Sequence, residues 1–426
     1  MNIIIDIHDI RATGGIENVI SCLANAMVRR GYKVTCFTYS PIGTPSRFCF
    51  DSAVQFEHYV FTGDASTLPK LKEPLLRCQP DVFISPASFN NSLLWCSVLK
   101  DLDIPLIYSE HTDPWIIENK RWNQKERQAV LWAADAVHLL LPPFFKSVPE
   151  QLQSKCHIIG NPVPPPPPEL QRNAPHPAPC ILSLGRLSPV KQIPLLVEAF
   201  DLVARDFPQW ELHIWGIGEE ENRIRQAMSR TACADRIHIC GLTRTPYRQF
   251  NQADIFCIPS RYEGLPVALL ESFACGTPAV GFQACNSVNY LIKDGINGLL
   301  SPMMTAAGLA QSLHRLMENE QLRQRLGQAA LATAQEYTPE HIYDQWEELI
   351  QIAVARKGQS QLSRLNQDET LSPEEEAWRN TMREIVQRPN VLLQNRQIFR
   401  RFLRRHPKLK NFIKSIVNKR TSGKKA

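Results

Sequence analysis

The sequence lacks three features that would assign it to a class at once: a long apolar run, a secretion signal and a cysteine framework. No part of its 426 residues approaches the roughly 18 consecutive apolar residues of a spanning helix, which argues against an integral membrane protein. The first six residues, MNIIID, have neither the basic region nor the long apolar stretch of a signal peptide. We therefore expect a cytoplasmic protein.

The twelve cysteines are scattered between Cys22 and Cys285, with no C-x-x-C pair and no Cys/His cluster at zinc spacing. In a reducing compartment such cysteines usually serve as small buried hydrophobic residues. We therefore expect no bound metal and no cofactor.

Charge is distributed unevenly along the chain. The sequence holds 48 Lys and Arg against 42 Asp and Glu, yet residues 396–426 contain twelve Lys and Arg and no acid. The rest of the chain therefore carries a small acidic excess. Hydrophobic residues make up 43% and charged residues 21%, a mixture that can bury large cores and excludes a wholly disordered chain.

Apolar residues recur at helical spacing within the basic tail, at Ile398, Phe399, Phe402 and Leu403. A cationic amphipathic segment of this kind is typical of a helix that lies on an anionic membrane surface. The alternatives are a helix packed on the body of the protein and a disordered solubilising tail. Nucleic-acid binding has only the charge in its favour, because no recognised module accompanies it. We expect docking on the inner membrane face and no nucleic-acid partner.

The first 165 residues alternate short apolar runs with helical patterns. Strands are predicted at 3–7, 33–39, 82–85 and 106–109, and a helix at 16–30. Nearly continuous apolar strands favour a parallel sheet covered on both faces. This part of the chain is predicted to be a doubly wound α/β domain.

A run of prolines, Pro164 to Pro168, follows this segment and favours an extended, stiff linker over a docking ligand for an SH3-type domain. The α/β alternation then restarts. The predicted domains are 1–165 and 166–356, followed by a polar linker with a short helix at 357–395 and the basic tail at 396–426. The short helix is predicted to begin at the capping box of Ser372 and to end at Gln387.

The strongest motif runs from Ser260 to Gly276. A buried strand ends just before it, Glu263 lies in the turn, and a helix is predicted to begin at Pro266 and to end at Gly276. Free N–H groups and the positive end of the helix dipole would face the turn and favour an anion there. Glu271 lies about a turn and a half inside this helix.

A second motif, Leu184-Gly185-Arg186-Leu187-Ser188-Pro189-Val190-Lys191, places two cations five residues apart after another strand. A planar guanidinium and a compact ammonium together suit two linked phosphates. The pair Gly14-Gly15 follows the first strand, where it serves either as a tight turn or as a close approach to a ligand. His111 follows the strand at 106–109, as a loop histidine or as a binding residue.

Two further motifs resemble ligand-binding sequences but lack a feature that such sequences need. Gly216-Ile217-Gly218 begins like a dinucleotide-binding fingerprint, but three glutamates follow where the third glycine is expected. Asp101-Leu102-Asp103 resembles a metal-binding D-x-D, but it precedes its strand instead of following one, which favours a solvated loop.

Taken in order, the motifs at Gly14-Gly15, at 185–191, at Gly216-x-Gly218 and at 263–271 resemble a retaining glycosyltransferase of family 4, the glycosyl transferases group 1. The resemblance covers roughly residues 1–355 and is more specific in the second half. It implies the GT-B fold, an α/β architecture in which two Rossmann-like domains face a cleft, here followed by a basic helical C-terminal extension.

The resemblance also implies roles for individual residues. Arg186 and Lys191 would hold the donor diphosphate and stabilise the leaving group in place of a metal. Glu271 would bind the ribose, Gly15 would approach the phosphates, and His111 would contact the sugar. The donor sugar would also meet three consecutive residues, Glu263 through its carboxylate, Gly264, and Leu265 through its backbone N–H.

The function implied is retaining transfer of a hexose or related sugar from a nucleotide-diphosphate sugar to a glycan acceptor, lipid-linked, in cell-surface polysaccharide synthesis. Family members are thought to react by front-face attack, with Glu271 too far away to be a second carboxylate for double displacement. The alternatives are a non-catalytic sugar-nucleotide binding protein or another GT-B enzyme such as an epimerase. The stretch 282–290 departs from the common family pattern, so the resemblance does not imply which sugar is transferred.

Overall fold

The computed structural model of the chain describes residues 1–12, 14–59, 68–86, 89–116, 124–170 and 178–387, with only the backbone of 89–91. The predicted basic tail at 396–426 lies outside the described residues. Within them the chain forms two parallel sheets, one after the other, with helices packed on their faces. The predicted α/β fold class is confirmed.

The first sheet has seven described parallel strands in the order β3-β2-β1-β4-β5-β6-β7. The central strands are buried along almost their whole length, because a parallel sheet covered on both faces leaves no solvent-facing side. The strands are β1 Asn2–Asp6, β2 Lys33–Thr38, β3 Gln55–His58, β4 Val82–Pro86, β5 Leu106–Glu110, β6 Ala136–Leu139 and β7 Cys156–Ile158.

Aromatic side chains fill the core of this half. Trp95 is fully buried and its ring packs against those of Phe83 and Phe37, at centroid distances of 4.6 and 5.8 Å. The helices of this half are α1 Gly15–Arg29, α2 Pro69–Cys78, α3 Phe89–Leu99, α4 Gln124–Ala133 and α5 Pro142–Phe145.

The second sheet has six described parallel strands in the order β10-β9-β8-β11-β12-β13. They are β8 Cys180–Leu184, β9 Glu211–Trp215, β10 Ile237–Gly241, β11 Ile255–Ile258, β12 Ala279–Phe282 and β13 Gly298–Ser301. The helices are α6 Ile193–Ala204, α7 Glu221–Met228, α8 Pro246–Asn251, α9 Val267–Ala274, α10 Asn286–Leu291, α11 Ala306–Met317 and α12 Glu320–Ala334.

Two last helices, α13 Pro339–Val354 and α14 Pro373–Gln387, return to the first half of the molecule. The apolar stripe of α13 is buried, and the helix packs on β4, β5 and β6. Its Trp346 ring lies 4.5 Å from the ring of His138. The sequence assigned residues 339–354 to the second domain, whereas the structure packs them against the first sheet.

Helix α14 packs against α4 and α3, also in the first half. Its predicted capping box is confirmed, because the Ser372 hydroxyl accepts a hydrogen bond from the Glu375 N–H at 3.2 Å and the Glu375 carboxylate accepts one from the Ser372 N–H at 3.0 Å. The described helices include none that combines the length and apolarity needed to cross a bilayer.

Candidate active site

A cleft of about 400 Å³ lies between the carboxyl ends of the two sheets. In each sheet the strand order reverses at one point, between β1 and β4 and between β8 and β11, and ligands of such sheets bind outside these switch points. The loops after β1, β5, β8 and β11 all contribute to the lining. The predicted site residues that line it are Gly15, His111, Arg186, Lys191, Glu263, Gly264 and Leu265.

Lys191 and Glu263 form an ion pair within the cleft. The Lys191 ammonium donates to the Glu263 carboxylate at 2.5 Å, and the two side chains keep 26% and 14% of their solvent exposure. Lys191 ends a short 3₁₀ turn after β8, and Glu263 lies in the loop after β11. The two neighbouring strands therefore bring together residues that are 72 positions apart.

Arg186 is exposed, and among the described residues its guanidinium has no hydrogen-bond or ion-pair partner. It reaches toward the glycine loop of the first half, since a Cβ built on Gly14 would lie 3.4 Å from its Nη2 atom. Burial raises the pKa of the nearby Glu17 carboxyl, and the positive charge of Arg186 opposes part of that shift. Within the part of the chain that the structure describes, the guanidinium of Arg186 is thus unpaired where the two halves approach each other.

Two glycines support the loop that carries Arg186. A Cβ on Gly216 would lie 1.8 Å from the carbonyl oxygen of Gly185, and one on Gly218 would lie 2.1 Å from that of Leu187. These positions need glycine because the two backbones are in direct contact. The Gly-x-Gly pair therefore packs the cation loop, which agrees with its rejection as a dinucleotide fingerprint.

The turn before α9 touches the first half of the molecule. A Cβ on Gly264 would lie 2.2 Å from the backbone oxygen of His111, so only glycine fits there. The N–H groups of Gly264 and Leu265 donate to no acceptor among the described residues, which leaves them available to a ligand. Pro266 is extended and caps α9, which begins one residue later than predicted, at Val267. Gly276, with φ of 67°, follows its end as predicted.

Glu271 lies on α9 one helical turn beyond Val267 and Ala268, which line the cleft, and it is not itself part of the lining. Burial raises the pKa of its carboxyl to about 7. The carboxylate has no hydrogen-bond or ion-pair partner within the described ranges, and its charge raises the pKa of Cys22 and Tyr247 nearby. As far as the described residues show, it is an unpaired acceptor next to the residues that line the cleft.

His111 ends a hydrogen-bonded relay. Its Nε2 atom lies 2.8 Å from the Ser109 hydroxyl, which lies 2.7 Å from Nδ1 of His138, whose Nε2 lies 2.7 Å from the Ile159 carbonyl oxygen. Burial lowers the pKa of His111 to about 3 and that of His138 to about 4, so both rings are neutral near pH 7.

The relay determines which nitrogen of His111 carries the proton. The Ile159 carbonyl can only accept, so His138 donates from Nε2 and accepts at Nδ1. Ser109 then donates to His138 and must accept from Nε2 of His111. His111 is therefore left with an unprotonated Nδ1, an acceptor for a hydroxyl or amide donor.

Two further polar contacts link the two halves of the molecule, and no sequence motif marks either of them. The Asn286 amide donates to the Asp113 carboxylate at 3.0 Å, and the Asn161 amide donates to the Leu265 carbonyl at 3.1 Å. The buried Oδ1 atom of Asn161 accepts no hydrogen bond from the described residues. No local pattern marks such residues, because their partners lie more than 100 positions away.

The rejected D-x-D motif lies away from the cleft. Asp101 pairs with Lys72 and Lys100, and the Asp103 carboxylate accepts a hydrogen bond from the Ser360 N–H at 3.2 Å. Both acids precede β5, whereas the cleft is formed by the residues that follow it.

Two family models match the chain over most of its length. Residues 169–333 match the model described as Glycosyl transferases group 1, and residues 13–166 match the model described as Glycosyltransferase Family 4. The first match contains Arg186, Lys191, Glu263 and Glu271, and the second contains His111.

Curated relatives resemble parts of the chain. An exopolysaccharide phosphotransferase of Streptomyces coelicolor is 32% identical over 173 residues, which are 40% of this chain and 18% of that protein. A poly(glycerol-phosphate) alpha-glucosyltransferase of Bacillus subtilis is 25% identical over 178 residues, which are 41% of this chain and 26% of that protein. The chain thus spans only a minor part of either relative.

Solved structures share the fold over most of the chain. A sucrose-phosphate synthase from Thermosynechococcus elongatus superposes with a TM-score of 0.71 at 19% identity, covering 83% of this chain and 99% of that one. The Anabaena protein HepE in complex with UDP-glucose superposes with a TM-score of 0.68 at 16% identity, covering 82% and 99%. At these identities the likeness concerns the fold.

Proposed function

The chain belongs to the group 1 glycosyltransferases of the GT-B fold, and on this premise we propose that it is a retaining, metal-independent sugar transferase. It would move a hexose or related sugar from a nucleotide-diphosphate sugar to a glycan acceptor. The observation that carries the proposal is the meeting of Arg186, Lys191 and Glu263 in one cleft between the two sheets.

In this proposal the donor diphosphate lies between Arg186 and Lys191. A guanidinium and an ammonium neutralise the two charged phosphates and stabilise the charge that develops on the leaving group. The free N–H groups of Gly264 and Leu265 add donors from the start of α9, where the helix dipole favours negative charge. Gly15 leaves room for the phosphates, because a Cβ there would meet no atom within 4 Å.

The donor sugar would lie between Glu263 and His111. Glu263 accepts from sugar hydroxyls, and the unprotonated Nδ1 of His111 accepts from another. Glu271, with its unpaired carboxylate, would accept from the ribose hydroxyls. Ser109 and His138 are positioning residues in this scheme, because they fix the proton of His111 on Nε2.

The reaction follows front-face attack. The acceptor hydroxyl oxygen forms the new bond to the anomeric carbon as the bond to the phosphate oxygen breaks, on the same face of the sugar. The departing phosphate oxygen takes the proton of the hydroxyl, and the nucleoside diphosphate leaves. The residues named above hold the reactants and stabilise charge, and none of them needs to form a covalent intermediate.

The names of the relatives support a role in cell-surface polysaccharide synthesis, since they refer to an exopolysaccharide and to poly(glycerol-phosphate). We place a lipid-linked acceptor and an anionic inner-membrane surface in this proposal because residues 396–426 carry twelve Lys and Arg and no acid. Sedimentation with anionic vesicles tests the membrane part. The full chain should bind, and a chain ending at Asn395 should not; equal binding of both would rule out docking by the tail.

Product analysis tests the transfer itself. The full chain is screened by thermal shift against nucleotide diphosphates and their sugars, because a ligand of the native state raises apparent stability. The sugar that binds is then incubated with candidate glycans in the presence and absence of chelator. We expect release of nucleoside diphosphate and a product of unchanged anomeric configuration in both samples. Binding without turnover would favour the alternative, a sugar-nucleotide binding protein.

A further inference from the structure

A second cluster of reactive side chains lies on the face of the second sheet, outside the cleft. Glu211 and His213 are two residues apart on β9 and therefore point to the same face. His238 on β10 is the register partner of His213, so its side chain lies beside that of His213. The cluster exists only because the two parallel strands align in this way.

The three ligand atoms are close enough to share one ion. A Glu211 carboxylate oxygen lies 2.8 Å from Nε2 of His213 and 3.6 Å from Nε2 of His238, and all three lie within 4.8 Å of one another. Ligand atoms around a tetrahedral zinc ion, with bonds near 2.0–2.1 Å, are about 3.3 Å apart. The two separations from the Glu211 oxygen, 2.8 and 3.6 Å, lie on either side of this value.

The cluster is open on one side. The side chains of Glu211, His213 and His238 keep 35%, 32% and 43% of their exposure, so a fourth position is accessible to water. Glu211 begins β9 and His238 is the second residue of β10, whereas the cleft lies beyond the ends of the strands. The proposed transfer reaction therefore makes no use of these residues.

From this geometry we infer that Glu211, His213 and His238 form a binding site for a transition-metal ion of the Zn²⁺ class. Two imidazoles and one carboxylate suit Zn²⁺, Co²⁺ or Ni²⁺, whereas Mg²⁺ and Ca²⁺ prefer sets of oxygen ligands. Because β10 is the edge strand of the described sheet, an ion bound by residues of both strands cross-links β10 to β9. The ligand set is assembled only in the folded protein, so metal binding stabilises the native state.

Cobalt titration of the full chain tests the site, because the visible bands of Co²⁺ report its ligands. Nitrogen and oxygen ligation gives visible bands without the near-ultraviolet charge-transfer band of a thiolate. This distinction matters because the chain holds twelve cysteines and none of them is in a disulfide. We expect one equivalent of Co²⁺ to bind without the thiolate band, to be displaced by Zn²⁺ and to be unaffected by excess Mg²⁺.

Variants complete the test. His213→Ala and His238→Ala should each weaken Zn²⁺ affinity by about 100-fold or more and abolish the Zn²⁺-dependent rise in melting temperature. His314→Ala is the matched control, since His314 is also exposed and lies 3.5 Å from one carboxylate, that of Glu318, and it should bind Zn²⁺ like the wild type. Unchanged affinity in both cluster variants, or a thiolate band that persists in them, would overturn the site. Sugar transfer is not a readout here, so this result is separate from that of the proposed function.

Discussion

Lys191 and Glu263 hold each other inside the cleft, the ammonium 2.5 Å from the carboxylate. Each of the two was predicted as a site residue on its own, one for the phosphates and one for the sugar. Because they form an ion pair, the position of the Lys191 ammonium depends on the Glu263 carboxylate, and the position of the carboxylate depends on the ammonium. A change at either residue therefore affects both parts of the proposed donor site.

The first prediction concerns the cation. Lys191→Ala should lower kcat by about 100- to 1,000-fold, because it removes a group that stabilises charge on the leaving phosphate. Lys191→Arg should recover part of the loss because it retains the charge. Lys33→Ala, at an exposed lysine of β2 far from the cleft, is the control and should keep full activity. Steady-state kinetics measure all three, and wild-type kcat in Lys191→Ala would contradict the assignment.

A second prediction compares two glycines of the cleft. Gly264→Ala should destabilise the protein by about 1–3 kcal/mol, because its Cβ meets the backbone oxygen of His111 at 2.2 Å and the two halves must move apart. Gly15→Ala meets no atom within 4 Å and should unfold like the wild type. It should nevertheless weaken binding of the nucleoside diphosphate. Denaturant titration and calorimetry separate the two effects, and equal stability of both variants would refute the predicted collision.

The third prediction concerns the relay behind His111. Ser109→Ala removes the acceptor of the His111 Nε2 proton, so the ring should exchange between tautomers and kcat should fall about tenfold or more. Nitrogen NMR of the histidine rings reports the tautomer directly. Ser97→Ala, at another buried serine that bonds only within its own helix, should change neither quantity. A His111 ring that keeps its proton on Nε2 without Ser109 would show that the relay does not fix the tautomer.

Glu271 supplies the fourth prediction. Burial raises the pKa of this carboxyl to about 7 in the folded protein, above its value of about 4.3 in an unfolded chain. The stability contributed by the protonated carboxyl is therefore complete below about pH 4.3 and is lost as the pH rises through 7. Glu271→Gln, which resembles the protonated form, should gain stability over the wild type between pH 5 and pH 8.

The same variant tests the role of the carboxylate in donor binding. In the wild type, affinity for a nucleotide-diphosphate sugar, whose phosphates do not titrate in this range, should rise from pH 6 to pH 8, because the ionised carboxylate is the stronger acceptor for ribose hydroxyls. Glu271→Gln should show no such rise. Glu73→Gln, at an exposed glutamate of α2, serves as control in both measurements. A pH dependence that survives in Glu271→Gln would assign it to another group.

Sequence patterns predict the strands and helices whose buried residues form a continuous or periodic apolar run along the chain. The central strands were predicted within one or two residues, because long apolar runs bounded by turns are typical of buried parallel strands. β3, β6 and β7 were not predicted. Gln55–His58 is largely polar, and Ala136–Leu139 and Cys156–Ile158 have only four and three residues, so none of them has a clear pattern. The apolar stripe of α13 is typical of a helix, but such a stripe does not indicate which sheet the helix covers.

The candidate site also has residues that the sequence predicts and residues that it does not. Arg186, Lys191 and Glu263 follow buried strands in recognisable motifs, so their convergence could be predicted from topology alone. Asp113 and Asn286, which form a hydrogen bond between the two halves, are 173 positions apart and belong to no motif. The Glu211 cluster depends on the register of two strands, which the sequence does not specify. Spacing rules find ligands that are neighbours along the chain and miss those that meet only in the sheet.

The return of α13 to the first sheet has a consequence for how the protein is made. Its buried residues Ile342, Trp346 and Leu349 cover strands that were synthesised some 200 residues earlier. A nascent chain that has emerged only as far as the proline run therefore exposes an apolar groove on its first sheet. The N-terminal half can finish folding only after the second half has left the ribosome, so completion of the two halves is coupled during translation.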